Sequence, residues 1–195
     1  LEDHAVPTET FLFLGSYTKY GEFLDGKDGY WYGFSNQGNS SGNAKMLWVK
    51  ISKADYSMTE GEWTLSNAKL MTVGERDMDD SYPQRECRCC MRGGYLYVPA
   101  YDKKGIYKIN VANSADVALI AFGFTSKMKP LCESATCELY LTLIGDLIIG
   151  GDFQVTADDT VIHTQGSARL GSAATPLFQH KQFLVGWGGS YGNEY

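Results

Sequence analysis

The residues best suited to recognition chemistry are concentrated between positions 17 and 42. There Tyr17, Tyr20, Phe23, Tyr30, Trp31, Tyr32 and Phe34 are set among Gly, Ser, Asn and Asp. Tyr and Trp bring large rigid faces at low conformational-entropy cost, and small polar neighbours add adaptable hydrogen bonds. Sugar rings stack on such faces. Tyr17, Tyr20, Tyr30, Trp31, Tyr32 and Phe34 are therefore the expected binding residues, with Tyr30, Trp31 and Tyr32 as the stacking platform. A competing reading makes this stretch a hairpin whose aromatics pack on neighbouring strands or on another subunit. The polar run that ends it contains Asn39-Ser40-Ser41, a glycosylation sequon if the protein is secreted by a eukaryote.

Residues for catalysis are less well placed. The acidic groups are Asp25 with Asp28, Asp77 with Asp79 and Asp80, and Asp158 with Asp159. A glycosidase needs two carboxylates facing each other across a cleft. The stretch Asp25-Gly-Lys-Asp28-Gly29 lacks the alternating oxygen ligands and terminal Glu of a calcium loop. Acidic residues in such turns instead bond their own backbone. The three histidines, His4, His163 and His180, form no metal-binding pair, and no nucleophile sits in an elbow motif. Cys87, Cys89, Cys90, Cys132 and Cys137 lack zinc-knuckle spacing and read as small buried hydrophobes, with one disulfide at most. The expectation is a non-enzymatic protein with no catalytic residue, metal or cofactor.

Composition narrows the partners. The 195 residues are 44% hydrophobic, with a net charge of −6 and a pI near 5.0. That balance argues against nucleic acid, whose binders cluster Lys and Arg to displace counterions. No apolar run reaches the length of a membrane-spanning helix, so membrane insertion is not expected. The expected partners are other protein subunits of an assembly, and a surface glycan. The chain starts at Leu1 and stops at Tyr195 just after a strand-like run, which reads as a piece of a longer or processed product.

These residues must be positioned by strands. Thirteen Tyr and 22 Gly lean towards an all-β fold. An apolar, Gly- and Tyr-rich cassette recurs at 11–17, 95–101, 146–152 and 183–189. Strands are expected at 45–51 and 62–71, then at 87–92, 95–101, 105–111 and 116–124, separated only by turn-length, turn-forming residues. Four short antiparallel strands joined this way form a meander. A second such unit is expected at 138–143, 147–151 and 160–164, and a third opens at 176–182 and 183–189. The whole reads as one all-β domain over 1–195, with 18–44 as an aromatic, polar insertion loop. A β-sandwich is the alternative architecture.

The segment Tyr95-Leu-Tyr-Val-Pro-Ala-Tyr-Asp-Lys-Lys-Gly-Ile-Tyr-Lys-Ile-Asn-Val111 resembles the blade pattern of Kelch and YVTN-type repeats, which implies antiparallel meanders forming part of a β-propeller. The closing stretch Phe178-Gln-His-Lys-Gln-Phe-Leu-Val-Gly-Trp-Gly-Gly-Ser-Tyr191 resembles segments near the C-terminus of tail and virion proteins from phages of gut bacteria. That resemblance implies a virion location and a structural or host-binding role, with loops 17–43 and 75–84 meeting other subunits or the host. The alternatives are an extracellular or cell-surface glycan-binding propeller and, third, a carboxylate-based glycoside hydrolase.

Overall fold

The computed structural model describes residues 23–36, 42–71, 73, 89–102, 104–123, 141–150, 153–163, 177–180 and 183–186. Among them the chain is all-β and every sheet is antiparallel. The first sheet is a four-stranded meander of β1 (Phe23–Asp25), β2 (Tyr30–Ser35), β3 (Asn43–Ser52) and β4 (Met58–Ser66). The second repeats the plan with β5 (Cys90–Arg92), β6 (Tyr95–Pro99), β7 (Gly105–Asn110) and β8 (Val117–Ala121). The third comprises β9 (Thr142–Ile144), β10 (Leu147–Ile149), β11 (Phe153–Val155) and β12 (Val161–His163), and β13 (Leu177–His180) pairs with β14 (Phe183–Gly186). Among the described residues each sheet is open along its edges.

Turn chemistry explains the short connections. Gly93 and Gly94 both take positive φ, 57° and 80°, as a two-residue hairpin between paired Arg92 and Tyr95 demands. In the turn before β2, Asp25 accepts a hydrogen bond from the Lys27 amide (2.8 Å) and Asp28 from the Tyr30 amide (3.2 Å). These carboxylates shape the backbone, as short acidic side chains do in turns.

The recurring cassette marks one place in the architecture. Its copies near 95, 146 and 183 become β6, β10 and β14, each the second strand of its sheet. The copy at 11–17 lies outside the described residues, and the second described strand of the first sheet is β2. The insertion loop expected at 18–44 is therefore corrected: β1, β2 and the start of β3 lie within it, while 18–22 and 37–41 are outside the described residues. Alternating aromatics fit a half-buried pleated surface better than a loop. Strand β11 was not anticipated, because three residues carry too little periodicity to read.

The three four-stranded sheets share one apolar core. Phe34, Met46 and Leu65 of the first sheet join Leu96, Val98, Ile106 and Ile109 of the second and Ile148, Phe153 and Val155 of the third. Cys89 and Cys90 are buried in this same cluster, while Cys87, Cys132 and Cys137 lie outside the described residues.

Candidate functional site

Strand periodicity decides which aromatics can meet a ligand. Successive side chains of a strand point to opposite faces. On β2, Tyr30, Tyr32 and Phe34 face the common core, and Trp31 faces the other way. Across β3 the core-facing partners are Lys50, opposite Tyr32, and Trp48, opposite Phe34. On β4, Gly61 stands opposite Trp48, and Trp63 lies one same-face position beyond it.

The result is a continuous run of rings. Tyr30 and Tyr32 have centroids 6.5 Å apart, Tyr32 and Phe34 stack at 6.1 Å, Phe34 meets Trp63 at 5.6 Å, and Trp63 meets Trp48 at 6.1 Å. Trp48 lies over Gly61, where an added Cβ would approach its ring to 2.7 Å. Glycine is required there so that the indole can lie flat across β4.

Part of this run opens into a cleft of about 300 Å³ between the first and second sheets. Tyr32, Trp48 and Trp63 form its aromatic wall, Asp28 and Lys50 its charged groups, and Met91, Gly94, Val111 and Ala112 the opposite wall. The opposite wall is closed by the Val111 amide, which donates to the Gly94 carbonyl at 3.1 Å.

The polar groups of the cleft are unevenly matched. Asp28 accepts the Tyr32 hydroxyl at 2.7 Å. Burial and then this bond to a carboxylate push the Tyr32 phenol well above its usual pKa, so it remains a donor. The Lys50 ammonium lies 3.7 Å from the Tyr30 ring centroid and 5.6 Å from that of Tyr32, with no carboxylate partner among the described residues. The buried Nε1–H of Trp48 has no acceptor among the described residues. Leaving such a donor unmatched costs about 1–3 kcal/mol.

The platform expected from the sequence is thus redistributed. Tyr17 and Tyr20 lie outside the described residues. Tyr32 and Phe34 are almost wholly buried, at 4% and 1% exposure, and Tyr30 lies under the Lys50 ammonium. Trp31 stacks on Tyr56 at 6.3 Å on the opposite face, beside Val49 and Ile51. Tyr30, Trp31 and Tyr32 therefore cannot present one surface. Trp48, Lys50 and Trp63 were missed, although Met46, Trp48 and Lys50 alternate with period two on an expected strand.

The second and third sheets meet at a different kind of site. Arg92 donates to the Asp146 and Val155 carbonyls (2.5 and 3.2 Å), to the Tyr97 hydroxyl (3.2 Å) and to Asp159 (2.7 Å). Lys108 donates to the other Asp159 oxygen at 2.5 Å, and the Tyr97 hydroxyl donates to Asp159 at 3.1 Å. Burial by itself would raise the Asp159 pKa. Hydrogen bonds from Lys108 and Tyr97, with the Lys108 and Arg92 charges, outweigh it and hold the carboxyl below its ordinary value. The same bond raises the Lys108 pKa against the opposing effect of burial.

Comparison with protein-family models, with curated proteins and with solved structures returns no match. The functional reading therefore rests on the cleft and its chemistry.

Proposed function

We propose that the chain is a non-enzymatic recognition module that binds carbohydrate in the cleft between its first two sheets. The observation that carries this reading is the cleft wall: Tyr32, Trp48 and Trp63 with a charged group of each sign, in a volume suited to a sugar unit. Aromatic faces match the apolar faces of sugar rings, and the polar groups meet hydroxyls. Binding rather than hydrolysis is supported by Asp28, whose two oxygens accept from the Tyr32 hydroxyl and the Tyr30 amide. Such a carboxylate orients the wall.

The architecture that suits this role is a partial β-propeller. Three successive four-stranded meanders, with the cassette in the second strand of the second and third, support blades over the two faces of a sandwich. Clefts between neighbouring blades are then the natural recognition sites. A host-attachment component of a virion, working beside other subunits of its assembly, would use such a cleft on a surface glycan.

A glycan array tests the proposal. Binding by the intact chain, lost on Trp63→Ala in a variant that keeps its β-sheet circular dichroism, is the expected result. Absence of binding to every glycan would overturn it, and turnover of a bound polysaccharide would replace it with the hydrolase reading.

A further inference from the structure

The charges in the cleft are not symmetrical in what they leave open. Asp28 is already engaged by Tyr32 and by the Tyr30 amide. Among the described residues Lys50 makes only cation–π contacts, to Tyr30 and Tyr32. An ammonium has three donors, and aromatic faces satisfy none of them as an anionic oxygen would. The Trp48 Nε1–H also lacks an acceptor among the described residues, but it is sealed against Gly61, so Lys50 is the donor that a ligand in the cleft can meet. The cleft therefore has donors in excess and needs acceptors from its ligand.

The aromatic faces also bear on the sign of the ligand's charge. Tyr rings beside a carboxylate would suit an external cation, but here Lys50 already occupies the space over Tyr30. A cationic ligand would meet this ammonium, whereas an anionic one would complete it. Distant charges behind the net −6 are screened over about 8–10 Å, and the nearer Asp28 carboxylate is held by the Tyr32 hydroxyl and the Tyr30 amide.

We propose that the ligand is an acidic sugar, stacked on the aromatic wall with its carboxylate on Lys50. This rests on the carbohydrate reading of the cleft. The class comprises uronic acids and other carboxylated sugars, and the ring face and the carboxylate are both needed.

Matched sugar pairs test it by titration calorimetry on the intact chain: uronate oligosaccharides with their carboxyl-reduced counterparts, and sialylated with desialylated oligosaccharides. The acidic member of at least one pair should bind ~10- to 100-fold more tightly, the scale of a charge-assisted hydrogen bond. That preference should weaken with added salt, disappear in Lys50→Met and survive in Lys50→Arg. Equal affinity for both members would overturn the acidic-sugar inference and leave the stacking reading intact. A preference that persists in Lys50→Met would overturn the role of Lys50. Failure of every sugar in the panel to bind would overturn this inference and the carbohydrate reading together.

Discussion

The two seams between neighbouring sheets solve the same packing problem in opposite ways. Between the second and third sheets, one carboxylate gathers Arg92, Lys108 and Tyr97, and the remaining Arg92 donors reach backbone carbonyls. Between the first and second sheets, an aromatic wall stands open, and its Lys50 ammonium has no carboxylate partner among the described residues. Buried polar groups rigidify a structure when each is satisfied and are costly when they are not. The first of these seams is tied by charge-assisted hydrogen bonds and serves as structure, and the second is where the proposed ligand would bind.

Experiments that damage one seam should leave the other informative. The largest effect is expected behind the closed seam, where Phe153 is fully buried and packs on Phe122 at 4.3 Å. Phe153→Ala should lower stability by about 3–5 kcal/mol in urea unfolding, through lost burial and the cavity left behind. Next comes the staple itself. Asp159→Asn keeps a residue that tolerates the positive φ of 64° and strands two partly buried cations. It should cost about 2–3 kcal/mol, less than a fully buried pair because Lys108 and Asp159 retain some exposure. Sugar affinity of the folded fraction should remain, and its loss would show that the seams are coupled.

The staple also fixes a pH dependence. The folded pKa of Asp159 is depressed below 3.8, so its contribution is fully present above that value and is lost as pH falls through the lower folded one. Lys108 behaves in the opposite sense. Its folded pKa is raised above 10.5, so its contribution is present below that and is lost as pH rises through the folded value. Urea midpoints should therefore show a staple contribution that is level between roughly pH 4 and 10 and falls off outside that window. Asp159→Asn should remove the acid limb of that dependence.

Smaller effects belong to the open seam. Gly61→Ala forces a Cβ against Trp48 and should destabilise by about 1–3 kcal/mol while weakening sugar binding, a combination no staple variant should give. Tyr32→Phe removes only the hydrogen bond to Asp28 and should cost about 1 kcal/mol. If it abolishes binding without changing stability, Asp28 is positioned for the ligand through Tyr32.

Much of the scaffold was legible because turns and strand alternation are local. Gly93-Gly94 and Gly145-Asp146 announce their hairpins, and the stretch from 105 to 111 becomes β7, although Gly105, Ile106 and Tyr107 are all buried and alternation holds only beyond them. The site was less legible. Tyr30, Trp31 and Tyr32 are contiguous in sequence, so they read as one surface, but the pleat sends Trp31 to the opposite face. Asp159 read as a turn former, and it does sit in a turn at positive φ, yet its carboxylate reaches a strand of another sheet.

The sequence alone determined an all-β chain of successive meanders, because periodicity and turn residues act over a few positions. Which aromatics share a wall and which charges are paired across a seam depend on register and on sheet packing. Trp48, Lys50 and Trp63 meet Met91 and Val111 only through contacts across 28 or more positions of chain, from Trp63 to Met91. That distance is invisible to local pattern, so the tertiary structure alone decided where the cleft lies and what chemistry it offers.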